Sequence, residues 1–260
     1  MKTAIVTLSA EGVRIAEILR EGLVDANVFV HEKVAAKGDF TPFASLMTLT
    51  RDLFPRYEGL IFIAPCGAVV RALAPNVRDK REDPAVVVVD AFARFAISLL
   101  SGHEGGANGL CVTVANLLSA EPVVTTTTDA LKDVIVGVGC RRGTPAEKIV
   151  EAVTCALENI PVELSRVRLL ASADVKAHEK GLAEAAHRLG VPLRIVSSEE
   201  IRATIRDFSH SDFVKEKVDL PAVAEPAALL AGRRTRLLLP KTARDGVTVA
   251  VAVENCWSWE

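Results

Sequence analysis

Half of the 260 residues are hydrophobic and a quarter are charged, which supplies a sizeable core and excludes a disordered chain. A formal net charge of −2 and a pI near 6.3 argue against a nucleic-acid binder, which needs a basic face. No apolar run reaches the roughly 20 residues of a membrane span, so no membrane partner is expected.

In chain order, short apolar runs alternate with helical patterns, the signature of an α/β fold. Residues 3–8 predict a first strand and not a signal peptide. The helix after it sets Ile15, Ile18, Leu19 and Leu23 on one face. Strands are expected at 28–30, 60–64, 86–89 and 95–99. A helix from about Gly105 places Leu110, Val114, Leu117 and Leu118 at helical spacing. Residues 122–124 predict a buried strand, ending in Thr125, Thr126, Thr127, Thr128 and Asp129.

A second unit opens with the apolar run 134–138 and the loop Gly139-Cys140-Arg141-Arg142-Gly143. The next helix has start signals: Thr144 to cap it, Pro145 at its first position and Glu147 to complete a capping box. Ile149, Val153 and Leu157 give it an apolar face. A strand at 167–170, a helix at 175–189 and a strand at 193–196 follow, with a second capping box from Ser197 and Glu200. Strands at 237–239 and 247–253 close the unit. Two α/β domains with largely parallel sheets are therefore expected, at residues 1–131 and 132–260. The tail holds both tryptophans, Trp257 and Trp259, and suits docking better than chemistry.

The five cysteines, Cys66, Cys111, Cys140, Cys155 and Cys256, are odd in number and form no C-x-x-C. Reduced thiols in a cytoplasmic protein are expected. None of the five histidines stands at ligand spacing to them, so no protein metal site is expected.

Chemistry points first to Ser101-Gly102-His103-Glu104-Gly105-Gly106-Ala107-Asn108, set between a strand and a helix. Glycines let backbone approach a ligand, and a helix start offers unpaired N–H donors. An imidazole titrates near ~6.5 and suits proton transfer at neutral pH. His103 is the candidate acid or base, Glu104 its partner, and the Gly105 and Gly106 amides candidates for an anion or a developing oxyanion. A histidine that merely packs at a helix start is the plainer alternative. Gly67 and Arg71 follow the strand at 60–64, where ligands of open α/β sheets bind. The run Arg78-Asp79-Lys80-Arg81-Glu82-Asp83-Pro84 reads either as a solvated loop or, through Lys80 and Arg81 with Arg71, as a grip on carboxylates or phosphates. Thr128 offers a hydroxyl. Gly139 and Arg141 belong to a loop that departs from a dinucleotide fingerprint yet suits an anion.

Taken in order, these segments resemble one family. Residues 65–71 (PCGAVVR), 79–90 (DKREDPAVVVVD) and 100–108 (LSGHEGGAN) are similar to the N-terminal module of the cobalamin-biosynthesis protein CbiG. Residues 136–144 (VGVGCRRGT), 211–215 (SDFVK), 224–229 (AEPAAL) and 239–242 (LPKT) are similar to its CobE-like C-terminal module. The middle segment often found between the modules is absent, the 89–94 turn lacks an expected glycine, and 218–224 replaces a glycine-richer run.

The resemblance implies a cobalt-precorrin 5A hydrolase of anaerobic cobalamin biosynthesis, opening a δ-lactone on a cobalt-bound macrocycle and releasing acetaldehyde to give cobalt-precorrin 5B. The cobalt would arrive in the substrate, with no cofactor of the protein's own. Residue chemistry then suggests His103 as base, with Gly105 and Gly106 on the oxyanion. Arg71, Lys80, Arg81 and Arg141 would hold peripheral carboxylates, with Gly67, Ser101, Gly102, Asn108, Thr128 and Gly139 lining the substrate. A homodimer, or a transient contact with other enzymes of the pathway, is the expected association. The competing readings are a non-catalytic carrier of corrinoid intermediates and an enzyme of phosphorylated metabolites.

Overall fold

The computed structural model describes residues 1–34, 38–209 and 220–255. The chain forms two compact units, Met1–Thr126 and Thr127–Glu260, each built on its own sheet. Among the described residues no helix is long and apolar enough to cross a membrane.

The first unit runs β1 (Thr3–Thr7), α1 (Ala10–Gly22), β2 (Ala26–His31), β3 (Thr41–Phe43), α2 (Leu46–Leu53) and β4 (Gly59–Ile63). It continues with α3 (Cys66–Leu73), β5 (Ala85–Val89), β6 (Phe95–Leu100), α4 (Ala107–Leu118) and β7 (Glu121–Val123). The sheet order is β3-β2-β1-β4-β5-β6-β7. β4 and β5 are buried at every residue because helices cover both faces of the sheet, which is why they read as unbroken apolar runs. On one face α1 and α4 bring Ile15, Leu19 and Val114 onto Ile5, Ile61 and Val87. On the other, Leu53 of α2 and Val69 and Leu73 of α3 cover Phe62, Val86 and Val88. Ile18, expected on the buried face of α1, is 42% exposed; Ala16 takes the inner position instead.

One reversal decides where the loops go. β1, β2, β3, β4 and β5 are parallel, but β6 runs antiparallel to β5. A tight turn joins them, where the Asp90 carboxylate accepts the backbone N–H groups of Arg94 (2.7 Å) and Phe95 (2.9 Å). So short a connection cannot make a parallel crossover. β6 therefore ends opposite the start of β5, with Leu100 paired to Val86, and it delivers the His103 loop to the amino-terminal edge of the parallel strands.

The second unit runs α5 (Thr127–Ala130), β8 (Val134–Cys140), α6 (Ala146–Glu158), β9 (Val167–Ala173), α7 (Lys180–Leu189) and β10 (Leu193–Val196). It closes with α8 (Ser198–Ala203), α9 (Ala224–Leu230), β11 (Thr235–Arg244) and β12 (Val247–Glu254). β8, β9 and β10 are parallel; β12 lies antiparallel between β8 and β11. Asp245 and Gly246 both take positive φ, as a two-residue hairpin turn with right-handed strand twist requires.

Two expected helix starts move. α6 is preceded by Pro145, with no side-chain cap. The Thr144 hydroxyl donates instead to the Arg141 carbonyl at 2.7 Å, and Glu147 pairs with Arg188 at 2.6 Å, so no capping box forms there. The helix expected from 175 begins only at Lys180, because Asp174–Lys176 form a 3₁₀ turn. The Asp174 carboxylate accepts the Ser198 amide (2.8 Å) and hydroxyl at the start of α8. The Ser197–Glu200 capping box forms as expected. The 211–215 motif, residues 218 and 219, and the tail from Cys256 to Glu260 lie outside the described residues.

Candidate functional site

Two stretches of chemistry-bearing residues lie in the first unit, at opposite edges of its sheet. Gly67 follows β4 at the carboxyl edge, beside the point between β1 and β4 where the strand order reverses; open α/β sheets bind ligands at such points. The Arg71 guanidinium folds back along α3 and donates to the Gly67 carbonyl at 2.9 Å. Lys80 and Arg81 precede β5 and so belong to the amino edge with His103. The expected joint grip of Arg71 with Lys80 and Arg81 is therefore corrected: the parallel pairing of β4 with β5 places the guanidinium of Arg71 at the other edge.

At the amino edge two loops meet. Lys80 Nζ lies 2.6 Å from Glu104 Oε1. The Lys80 hydrogen bond holds the Glu104 carboxyl below the usual carboxylate range, so Glu104 is ionised and serves as an acceptor. Arg81 is also engaged, through Nε (3.1 Å) and one terminal nitrogen (3.3 Å) on the Asp79 carboxylate. That contact lowers the Asp79 carboxyl further and raises the guanidinium. Lys80 and Arg81 thus enter any anion contact already paired.

The His103 loop is built on glycine. Ser101 has φ of 56° and Gly106 has φ of 85°, the left-handed region that turns the chain into α4. A Cβ on Gly105 would stand 2.4 Å from Ser101 Cβ and 2.9 Å from its carbonyl oxygen, so only glycine fits. The Ser101 and Gly102 carbonyls accept the Ala107 (3.2 Å) and Asn108 (2.9 Å) amides, using two donors of the helix start. The Gly105 and Gly106 amides have no partner among the described residues. The exposed His103 ring also makes no hydrogen bond there. The buried Ser101 hydroxyl has no partner either. Exposed imidazole, free amides and an orphan hydroxyl sit within six consecutive residues.

Asn108 holds this loop. Its Oδ1 accepts the Ser98 hydroxyl at 2.7 Å and its Nδ2 donates to Thr126 Oγ1 at 2.8 Å, tying β6 to the segment after β7. A Cβ on Gly102 would meet Thr126 and Asn108 at 2.6 and 2.8 Å. Asn108, expected to face a ligand, is 9% exposed and works as a bracket. Thr128 lies in α5 of the second unit.

The second unit carries a cavity of about 1120 Å³ at the carboxyl end of β8. Gly139, Arg141 and Arg142 from the β8–α6 loop line it, together with Lys176, Lys241 and Arg244. Val175, Ala222, Val223 and Val247 give it apolar walls. Lys176 is paired with Glu179 at 3.7 Å, and Arg244 lies 3.9 Å from Asp245. Arg141 and Arg142 have no carboxylate partner among the described residues. The Gly143 amide, which a phosphate would use, already donates to Glu179 Oε2 at 2.8 Å. Burial pushes the thiol of Cys140, on the same wall, up. Reading the sequence alone singled out Gly139 and Arg141 but missed Lys176, Lys241 and Arg244. Only Lys241 carried a signal, inside the 239–242 motif. Among the described residues no group of three His, Cys, Asp or Glu side chains is placed to hold a metal ion.

The CbiG N-terminal family model (cobalamin synthesis G N-terminal) matches residues 48–129, spanning the His103 loop. The CbiG C-terminal model (cobalamin synthesis G C-terminus) matches residues 134–252, spanning the cavity. The chain belongs to the CbiG family. The cobalt-precorrin-5A hydrolase of Salmonella typhimurium is 28% identical over an alignment of 346 positions, covering 97% of each chain. That of Priestia megaterium is 27% identical over 354 positions, covering 96% of this chain and 94% of its own. Both alignments exceed the 260 residues of this CbiG-family chain, so both relatives carry residues with no counterpart in it. Protein CobE of Sinorhizobium sp. is 33% identical over 128 residues, 48% of this chain and 83% of its own.

Proposed function

We propose that this chain is a cobalt-precorrin-5A hydrolase, opening the δ-lactone of a cobalt-bound macrocycle with release of acetaldehyde to give cobalt-precorrin 5B. Two relatives of that name, aligned along nearly the whole chain, support the reaction. The observation that carries the site is the unpartnered His103 imidazole within two to three residues of two unpartnered amides.

His103 takes a proton from water as the water oxygen attacks the lactone carbonyl. Negative charge grows on the carbonyl oxygen, where the Gly105 and Gly106 N–H groups donate to it. Collapse of the adduct breaks the acyl–oxygen bond and leaves a carboxylate and an alcohol. That alcohol loses its proton to a base and becomes the aldehyde as the adjoining carbon–carbon bond breaks. The bonding pair stays on the macrocycle and is protonated there. His103 is the proton carrier for these steps; Glu104, engaged by Lys80, holds the loop. Cobalt belongs to the substrate and the reaction requires no further cofactor.

Anaerobic incubation with cobalt-precorrin 5A tests the reading, with acetaldehyde and macrocycle mass measured together. Stoichiometric acetaldehyde with the matching mass loss is expected. His103→Ala should cut kcat by at least about a hundredfold while substrate still binds. An unchanged macrocycle with the intact protein, or a His103→Ala variant at the wild-type rate, would overturn the reaction or the role respectively.

A further inference from the structure

We infer that the Ser101 hydroxyl is a third donor to the oxyanion, a catalytic residue that the His103 loop covers until substrate enters. The inference rests on the proposed hydrolase reading for the identity of that oxyanion, and adds a group which the reading does not use.

Two observations set this side chain apart from the needs of the fold. Ser101 is 6% exposed, and its hydroxyl has no hydrogen-bond partner among the described residues. Folded chains pair nearly all buried polar groups, because leaving one unpaired costs its full desolvation. The polar side chains of the adjoining bracket are spent on one another, Ser98 on Asn108 and Asn108 on Thr126. Backbone conformation adds a second cost. Ser101 has φ of 56°, a left-handed value that glycine adopts freely and serine does not. Glycine at this position would remove the strain and the orphan hydroxyl together, as Gly106 does for its own left-handed turn. A side chain that costs the fold twice finds its use in a ligand.

Placement points to the ligand atom. The Ser101 carbonyl accepts the Ala107 amide at 3.2 Å, which seats the residue at the first turn of α4. Its Cβ lies 2.4 Å from where a Cβ of Gly105 would stand, so the side chain packs against a residue whose amide is free. The Gly106 amide follows, and both lie at the positive end of a 12-residue helix. What packs on the serine is glycine backbone with no side chain, so a small shift of the loop exposes the hydroxyl. As the carbonyl oxygen gains charge, the Ser101 O–H donates to it beside the two N–H groups. Ser101 keeps its proton throughout. No base is hydrogen-bonded to the hydroxyl among the described residues, so nothing activates it as a nucleophile.

The test compares the intact protein with Ser101→Ala and Ser101→Gly. Acetaldehyde release from cobalt-precorrin 5A and thermal unfolding are measured on each. In both variants kcat is expected to fall at least about tenfold while KM stays within about threefold, as for an interaction made only in the transition state. Their melting temperatures should be no lower than that of the intact protein, because the hydroxyl leaves no stranded partner behind. A serine that merely braced the loop would behave in the opposite way, with lower melting temperatures and KM moving with kcat. Ser101→Cys keeps a weaker donor at the same position and should recover part of the lost rate.

If the intact protein turns over and Ser101→Ala matches its kcat, the inference is overturned and the hydrolase reading stands. A melting temperature that falls in both variants overturns it too, since the hydroxyl then has a partner within the fold. If only one variant is destabilised, the other carries the kinetic comparison; Ser101→Gly also relieves the left-handed φ. An intact protein that releases no acetaldehyde overturns the hydrolase reading and, with it, the oxyanion role of Ser101.

Discussion

Lys80 Nζ and Glu104 Oε1 stand 2.6 Å apart and join the loop before β5 to the loop before α4. Twenty-four residues separate them in sequence. The reversal of β6 is what brings their loops to one edge. The pair sits on the surface, where ion pairs contribute little to stability. Its consequence is positional: it fixes the backbone one residue from His103.

A charge swap tests that role. Lys80→Glu sets two carboxylates against each other and should lower kcat/KM about tenfold, with a small change in thermal stability. Lys80→Glu/Glu104→Lys restores the pair and should recover activity to within about threefold of the starting protein. Steady-state kinetics on the three variants gives the answer. Two single losses that simply add in the double variant would separate the pair from the loop's geometry.

Gly105→Ala meets backbone, not a flexible side-chain tip. The new methyl would stand 2.9 Å from the Ser101 carbonyl oxygen and 3.3 Å from that of Asp83. The loop must shift and its free amides with it. Activity should fall at least about a hundredfold, the scale of losing one oxyanion donor. Stability should fall by only about 1–3 kcal/mol, as for other overpacked sites. Chemical denaturation and acetaldehyde release measured on the same preparation separate the two effects.

Asn108→Ala removes both arms of the bracket and leaves the Ser98 and Thr126 hydroxyls without it. Losing two hydrogen bonds between partly buried side chains should cost about 2 kcal/mol. Urea unfolding checks the magnitude. Thr126→Val removes one arm only and should cost less.

Asp90 gives the fold a pH dependence. Burial raises its carboxyl, but the Phe95 amide and the Arg94 side chain and amide outweigh that and hold it below the ordinary carboxylate value. A group depressed in the folded state contributes fully above its unfolded pKa, and the contribution is lost as pH falls through the folded pKa. Asp90→Ala should therefore destabilise the chain by about 1 kcal/mol at pH 7, allowing for solvent screening. The difference should shrink as pH falls from the ordinary carboxylate value through the lower folded one, where the unsubstituted carboxyl becomes protonated too. Melting temperatures of the two proteins along a descending pH series from pH 7 give the comparison.

Within the sequence, periodicity alone located β1, β4, β5, β8 and β12, because strands buried on both faces must be continuously apolar. The chemistry of the His103 loop was equally legible, since three glycines, an imidazole and a carboxylate before a helix have few structural uses. The antiparallel turn of β6 is legible only in the shortness of the 90–94 connection, which no parallel crossover can span. That pairing carried the His103 loop to the edge that holds Lys80 and Arg81, while the parallel pairing of β4 with β5 set those two away from Gly67, because an edge of a sheet is assigned by strand direction and not by nearness in sequence. β3 and α2, with their exposed and mixed faces, left too weak a pattern to be read.

Local sequence thus determined which segments are strands, which loops must be glycine and which residues can move a proton, since these follow from backbone sterics and side-chain chemistry at short range. The tertiary structure decided the rest. It paired Lys80 with Glu104 and spent the amide of Asn108 on a bracket. It also gathered Arg141, Lys176, Lys241 and Arg244, spread over a hundred residues, around one cavity. Such convergence depends on strand order and on which hydrogen-bond partners are used up by the fold, and neither is encoded in any one stretch of the chain.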